Sequence, residues 1–354
     1  MIISRTPFRI SFFGGGTDYP GWYHSHGGSV LAATINKYSY LTCRYLPPFF
    51  EHRIRVVYSK NEYCMTIDEI QHPAARETLR YLGFERGVEI HHDGDLPARS
   101  GMGSSSAFTV GLLHALHALQ GNITSKEQLT RESIHLEQDV LKENVGSQDQ
   151  VMAAHGGFNH VLFLTNGEIV VRPLPLPMSR LRELNSHLML VYTGIARTAS
   201  NVAESYVSGI ENQNRQMRIL KDLVDEGIRV LFSEQGDIKP FGELLHECWV
   251  VKRSLSRMVS NPSVDQMYEE ARAAGALGGK LLGAGGGGFL LLFAPPECHA
   301  RIRQRLEQLL VIPFQFEFTG SQIIFFDREE DHSAAEADRA KRTIQGFREM
   351  QREM

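Results

Sequence analysis

The feature that most constrains this chain is the segment Gly101-Met102-Gly103-Ser104-Ser105-Ser106, which lies between a strand-like run and a strongly helical one. A strand that ends in glycines and feeds a helix leaves first-turn N–H groups unpaired, with the positive end of the helix dipole behind them. Gly101 and Gly103 remove the side chains that would hold an anion at a distance, so the segment is a candidate phosphate cradle. It is not the lysine-bearing P-loop, because no Gly-Lys-Ser/Thr closes it. Taken alone, it reads equally well as a surface turn with an ordinary serine N-cap.

The surrounding pattern narrows the choice. Residues 2–13, 28–46, 54–67 and 87–92 are rich in Ile, Val, Tyr, Thr and Phe and read as strands. Apolar residues at helical spacing predict helices over 73–83 and 105–120. A third helix runs from Thr124 to about Lys142, opened by the capping box Thr124-x-x-Glu127. Beyond Pro173, Pro175 and Pro177, a strand at 187–193 precedes helical patterns at 201–232, 240–259 and 263–274. A buried strand at 289–294, a helix at 296–309 and a last strand near 320–326 follow. Strands and helices mix without strict βαβ alternation, which predicts an α+β fold. A length of 354 residues is too great for one compact core, and two domains are expected at 1–180 and 181–354. In the charged tail after Asp327, Ile344, Phe347 and Met350 sit three apart and predict a terminal helix with one apolar stripe.

Charge and cysteine usage exclude several classes. Lys plus Arg number 37 against 41 Asp plus Glu, a net charge of -4 that gives no support to nucleic-acid or membrane-surface binding. Cys43, Cys64, Cys248 and Cys298 form no CxxC pair, so neither a disulfide framework nor a zinc site is expected. Met1-Ile2-Ile3 is interrupted by Ser4-Arg5, unlike a signal peptide, and the most apolar run, 289–294, falls far short of the ~20 residues that span a bilayer. A cytoplasmic protein is expected.

Four further features carry chemistry. Gly14-Gly15-Gly16-Thr17-Asp18 ends the first strand, and Asp18 could accept hydrogen bonds from sugar hydroxyls; the same residues also suit a hairpin turn. Glu137 on a helix and Asp149 after a glycine turn are the kind of carboxylate pair that phosphoryl transfer uses, one for a metal and one near the acceptor hydroxyl. Each taken singly is as readily a solvated or salt-bridged residue. Gly283, Gly285 and Gly288 spell GxGxxG, but they lead into Phe289-Leu290-Leu291-Leu292-Phe293, a strand pattern. A dinucleotide fingerprint opens a helix, so an NAD-dependent oxidoreductase is rejected. A glycine wall lying against another loop or a ligand fits that segment better.

In this order and at these separations, the three glycine segments resemble the three motifs of the GHMP kinase superfamily, and the resemblance spans essentially the whole chain. It implies an amino-terminal domain like ribosomal protein S5 domain 2 and a ferredoxin-like carboxy-terminal domain, with the active site between them and ATP and Mg²⁺ bound there. By resemblance, ATP lies along Pro97, Arg99, Ser100, Gly101, Met102, Gly103, Ser104, Ser105 and Ser106, supported from the other domain by Lys280. Ser105 and Glu137 match the Mg²⁺ ligands, Asp149 the catalytic aspartate and Arg9 an active-site arginine. Gly15, Gly16, Thr17, Asp18 and Gly286 match positions on the substrate side.

One departure is informative. Where galactokinases read Gly-Glu-His-Thr-Asp, this chain reads Gly14-Gly15-Gly16-Thr17-Asp18, so two large polar side chains are missing from the sugar end. That form resembles the heptose 7-phosphate kinases, with bacterial fucokinases as near relatives, and implies phosphorylation of an anomeric hydroxyl. A phosphorylated acceptor needs a second anion site, for which Arg197 and Thr198 are the first candidates; a simple helix cap is the alternative there. The expected partners are a sugar phosphate and ATP, in a monomer or homodimer. The competing readings are another fucokinase-like or galactokinase-like sugar 1-kinase and a non-catalytic nucleotide or sugar sensor.

Overall fold

The computed structural model describes residues 1–98, 100–195, 213–233 and 236–327, together with 202, 205, 332, 334, 335, 337 and 338. The expected terminal helix carrying Ile344, Phe347 and Met350 lies outside the described residues, as does most of 201–212 in the helix expected at 201–232. Two antiparallel-rich sheets organise the rest. The first is built on β1 (Ile2–Phe13) and β2 (Gly28–Tyr45), followed by β3 (Ile54–Val57), β4 (Asn61–Cys64), β5 (Val88–Gly94), β6 (Phe158–Phe163) and β7 (Ile169–Pro173). The second comprises β8 (Leu188–Tyr192), β9 (Gly278–Leu281), β10 (Phe289–Phe293) and β11 (Leu310–Ile312) in the order β11-β8-β10-β9. The final strands, β12 (Phe316–Glu317) and β13 (Gln322–Phe326), leave that second sheet and return to the first, β12 on β2 and β13 on β1. The α+β architecture is therefore as expected, and β13 lies antiparallel beside β1.

The 18-residue β2 is long enough to serve two neighbours on one edge: Gly28–Ala33 pair with β6 and Ser39–Tyr45 with β5. Its other edge carries β1, whose register shifts between Pro7 and Phe8 and again between Ser11 and Phe13. Such bulges twist a strand and re-aim its side chains. Between them the two-residue alternation of a strand holds: Phe8, Ile10 and Phe12 enter the core, while Arg9 and Ser11 face the other way. The Phe12 ring stacks on Phe158 at 5.4 Å and meets Phe241 edge-on at 5.5 Å, joining the first sheet to the helices above it.

All five residues of β10 are buried, the pattern of a strand covered on both faces. The helix Lys239–Leu255 lies on β9 and against the helix Asn214–Phe232, which itself covers β1 and β2, so one apolar core runs continuously through both sheets. The helix Ser104–Leu119 packs on β1 and β2 and is almost wholly buried, as its apolar sequence requires.

Several elements differ from the sequence reading. The run 54–67 breaks at residues 58–60 into the hairpin β3–β4. The predicted capping box is displaced by one residue: Ser125 Oγ accepts from the Gln128 amide at 3.1 Å, whereas Thr124 Oγ1 is buried without a partner. The helix it starts, Lys126–Ile134, widens at His135–Val140 into a π-helical turn with Leu141 N donating to Leu136 O, and Lys142, at φ 55°, stops it. The helices Gln148–His155 and Met178–His187 and the strands β6, β7, β9, β11 and β12 are additional to the expected elements. The predicted helix at 296–309 shortens to His299–Arg305 after a 3₁₀ turn.

Candidate active site

A cavity opens where the carboxy-terminal end of β1, the glycine-serine loop and the glycine wall that begins at Gly283 meet. Gly101 and Gly283 form the junction. A Cβ on Gly101 would stand 2.5 Å from the Leu282 carbonyl oxygen, and one on Gly283 would stand 2.5 Å from the Gly101 Cα, so neither position tolerates a side chain. The Phe289 amide donates to the Ser100 carbonyl at 3.2 Å, extending the contact as a backbone bond. The third glycine segment thus braces the glycine-serine loop from behind and runs on into strand β10, not a helix. Its GxGxxG spelling has no dinucleotide geometry.

At the centre is a two-point ion pair. Arg9, 3% exposed, donates from Nε to Asp149 Oδ1 and from Nη2 to Asp149 Oδ2, each at 2.7 Å, and from Nη1 to the Gly101 carbonyl at 2.7 Å. The Arg9 amide also donates to the Met102 carbonyl at 3.2 Å. One buried arginine therefore fixes both the carboxylate and the loop, which lie 140 and 92 residues away in sequence. Asp149 sits in the first turn of the helix Gln148–His155, and a Cβ on Gly103 would be 3.4 Å from its Oδ2. The carboxylate therefore faces the loop across the cavity at contact range.

Asp18 sets the start of that same helix. Its Oδ1 accepts from the Gly16 amide at 2.9 Å, its Oδ2 from the Gln148 amide at 3.2 Å, and its backbone carbonyl from the Ser147 amide at 3.0 Å. Burial pushes its carboxyl above the ordinary range, the Gly16 amide pulls it back, and Asp149 pushes it up again. Although Asp18 lines the cavity, much of its hydrogen-bonding capacity is spent holding the helix that carries Asp149.

Glu137 lies behind the loop, fully buried in the π-helical turn, and does not line the cavity directly. Its Oε2 accepts from Ser106 Oγ at 2.8 Å and from Gln150 Nε2 at 2.5 Å, while its Oε1 is buried with no hydrogen-bond partner among the described residues. Burial pushes its carboxyl up to about 7. A buried carboxylate oxygen lacking a donor is a place a divalent cation fits. Among the described residues no three His, Cys, Asp or Glu side chains form a metal cage, so a cation beside Glu137 would take most of its ligands from phosphate oxygens and water. Of the two expected Mg²⁺ ligands, Ser105 is turned outward to the cavity, and the serine that donates to Glu137 is Ser106.

The remaining expected residues divide clearly. Gly15, Gly16, Ser104, Ser105, Ser106 and Lys280 line the cavity with Arg9, Asp18 and Asp149. Pro97 is exposed and outside the lining, Met102 is a core side chain, and Ser100 is buried with its carbonyl on Phe289. Thr17 is spent on the backbone, its Oγ1 donating to the Gly14 and Ser29 carbonyls at 2.8 and 2.9 Å. Gly286 is turned to Val259 and Asn261, away from the lining. Arg99, Arg197 and Thr198 lie outside the described residues.

Some lining residues escape the sequence reading. Ser11 Oγ and Gln148 Oε1 are buried with no hydrogen-bond partner among the described residues, on the side of Gly15, where a Cβ would stand 3.3 Å from the serine oxygen and 3.6 Å from Gln148 Nε2. Lys252 enters from the helix Lys239–Leu255, its Nζ donating to the carbonyls of Leu281 (3.4 Å) and Gly283. Its sequence signal is a lysine on the buried stripe Leu245, Cys248, Trp249, Leu255, where an apolar residue is the norm.

The two-sheet α+β fold and its glycine-lined cavity can be set beside known families. Residues 69–157 match the GHMP kinases N terminal domain, and residues 228–311 match the GHMP kinases C terminal model. The chain belongs to the GHMP kinase family and is an ATP-dependent kinase. Among curated proteins it is similar to the D-glycero-alpha-D-manno-heptose 7-phosphate kinase of Campylobacter jejuni, 27% identical over 338 residues that cover 90% of this chain and 97% of that protein. It is also 27% identical to the L-fucokinase/L-fucose-1-P guanylyltransferase of Bacteroides fragilis, matching 87% of this chain but 36% of that longer protein. Among solved structures it resembles a D-glycero-D-manno-heptose 1-phosphate kinase from Bacteroides thetaiotaomicron, with a TM-score of 0.74, 25% identity, and coverage of 93% of this chain and all of that one. No helix among the described residues is long and apolar enough to cross a membrane.

Proposed function

We propose that this kinase phosphorylates the anomeric hydroxyl of D-glycero-D-manno-heptose 7-phosphate, giving the 1,7-bisphosphate, in the cytoplasmic synthesis of nucleotide-activated heptose for cell-surface glycans. The observation that carries the reading is the Asp149 carboxylate, held at two points by Arg9 and aimed across Gly103 at the phosphate loop. A sugar hydroxyl placed against Asp149 stands next to the point where the loop presents a terminal phosphate. Asp149 orients that hydroxyl and takes its proton as the sugar oxygen bonds to the terminal phosphorus and the bond to the bridging oxygen of ATP breaks. Arg9 holds the Asp149 carboxylate in place through two hydrogen bonds. The loop amides and Ser104 to Ser106 hold the phosphates.

Glu137, reached through Ser106, and Ser105 at the cavity are the residues that would hold Mg²⁺. Bound there, the ion supplies charge neutralisation on the phosphates. At the acceptor end, the unpartnered Ser11 Oγ and Gln148 Oε1 offer hydrogen bonds to a polyhydroxylated ligand, in the space that Gly15 leaves. The similarity to heptose 7-phosphate kinase supports the choice of acceptor. The similarity to a fucokinase supports L-fucose as the second reading. A panel of free sugars and sugar phosphates scored by ADP release separates them. Turnover with heptose 7-phosphate well above that with fucose, galactose or mannose is expected. Preference for an unphosphorylated sugar would refute the acceptor, and no turnover with any of them would favour a sensor.

A further inference from the structure

Three cationic side chains line the cavity among the described residues, and only one has a counter-ion. Arg9 is paired with Asp149. Lys252 and Lys280 are 6% and 2% exposed, and among the described residues neither forms an ion pair. Lys280 Nζ donates to the Phe12 carbonyl at 2.9 Å, and Lys252 Nζ to the Leu281 and Gly283 carbonyls. An ammonium carries three donors, and neutral carbonyls leave its charge uncompensated. Two such charges repel each other at short range: burial and then Lys280 push Lys252 down to about 7, and burial likewise lowers Lys280.

This arrangement is poor for stability. Burying an unpaired cation costs more than a carbonyl contact returns, and an apolar residue on the stripe Leu245, Cys248, Trp249, Leu255 would pack without that cost. Costs of this kind are tolerated where a ligand completes the charge. Lys252 grips the carbonyl of Gly283, which braces the phosphate loop, and it stands close enough to Asp18 and Arg9 to feel both. It therefore sits between the loop and the acceptor end of the cavity.

We propose that Lys252, with Lys280 beside it, forms a phosphate subsite on the second-domain wall of the cavity. The group it takes is a phosphate monoester or the end of a polyphosphate: the acceptor sugar's own phosphate or the donor's terminal one. The acceptor source rests on the sugar-phosphate reading above; the donor source does not.

The test compares Lys252→Gln, Lys252→Met and Lys252→Arg with wild type in the full chain. Apo melting temperatures are recorded, along with dissociation constants by calorimetry for heptose 7-phosphate, the unphosphorylated heptose and a non-hydrolysable ATP analogue. The Gln and Met variants are expected to melt at or above the wild-type temperature and to bind a phosphate-bearing ligand at least about tenfold more weakly, with Arg restoring much of the affinity. Weakening confined to heptose 7-phosphate supports the subsite with the acceptor as source, and weakening confined to the ATP analogue supports it with the donor as source. Unchanged affinity for both overturns the proposal. So does a lower melting temperature with equal losses for the phosphorylated and unphosphorylated heptose, which would mark Lys252 as a structural brace. If wild type binds no sugar phosphate, the acceptor reading fails, while the ATP-analogue arm still decides the subsite.

Discussion

Replacing Asp149 with Asn tests the centre of the site, because its two consequences are measured separately. The variant keeps the shape of the side chain but puts an NH₂ group against the Arg9 fork and removes the charge that Arg9 faces. Breaking a fully buried ion pair by removing one partner costs roughly 3–5 kcal/mol. Here the arginine side chain is 4% exposed but the aspartate 24%, and Arg9 retains the Gly101 carbonyl, so a loss of about 2 kcal/mol is expected. Urea unfolding of the apo chain reads that number. Turnover should fall by ~10²-fold or more, the scale of a lost general base, with KM for ATP changed only a few-fold because the loop is still braced by Gly283 and Phe289. In the double variant with Arg9→Met, the stability losses should not add, and about 1–3 kcal/mol should be recovered as the pair's coupling energy. Turnover of Asp149→Asn within tenfold of wild type would refute the catalytic assignment. Strictly additive stability losses would refute the pairing.

Two further outcomes follow from geometry. Ser106→Ala removes one of the two donors to the buried Glu137 Oε2 and should cost roughly 1–3 kcal/mol in urea unfolding, whereas Ser105→Ala at the exposed cavity wall should cost under about 0.5 and act instead on the Mg²⁺ dependence of turnover. The reverse pattern would show that Ser105, not Ser106, supports the glutamate. His114, with Nδ1 3.0 Å from Ser321 Oγ, has its pKa pushed down to about 4, chiefly by burial and then by His117. A folded pKa below the unfolded 6.5 means that the stability it contributes is present above pH 6.5 and lost as pH falls toward 4. His114→Gln should therefore lose less stability than wild type between pH 7 and 4.5, by on the order of 2 kcal/mol in urea unfolding. Parallel pH curves would remove His114 from the acid response.

Local pattern reached some of these features directly. The loop at 101–106 stands out because two glycines between a strand and a helix leave few uses for the chain there. The Rossmann reading fails from sequence alone, because Phe289-Leu290-Leu291-Leu292-Phe293 has the composition of a buried strand, and β10 is one. The alternation of Phe8, Ile10 and Phe12 with Arg9 and Ser11 was present in the first strand, although the cavity contact of Ser11 needed the fold to be seen. The cap at Ser125 in place of Thr124 was a choice between neighbouring hydroxyls that only backbone geometry makes.

By itself, then, the sequence determined the α+β class, the approximate strands and helices, and the glycines that allow close backbone approach. These depend on periodicity and steric volume within a few residues, which the order of side chains states directly. The tertiary structure alone decided that Arg9 holds Asp149 across 140 residues, that Ser106 rather than Ser105 touches Glu137, and that the last strands return to the first sheet. It also decided that Lys252, an anomaly on an apolar stripe, opens onto the same cavity as Lys280. Each of these is a contact between segments far apart in the chain. Their meeting is set by how two sheets and their covering helices share one core, and no local window of sequence contains that information.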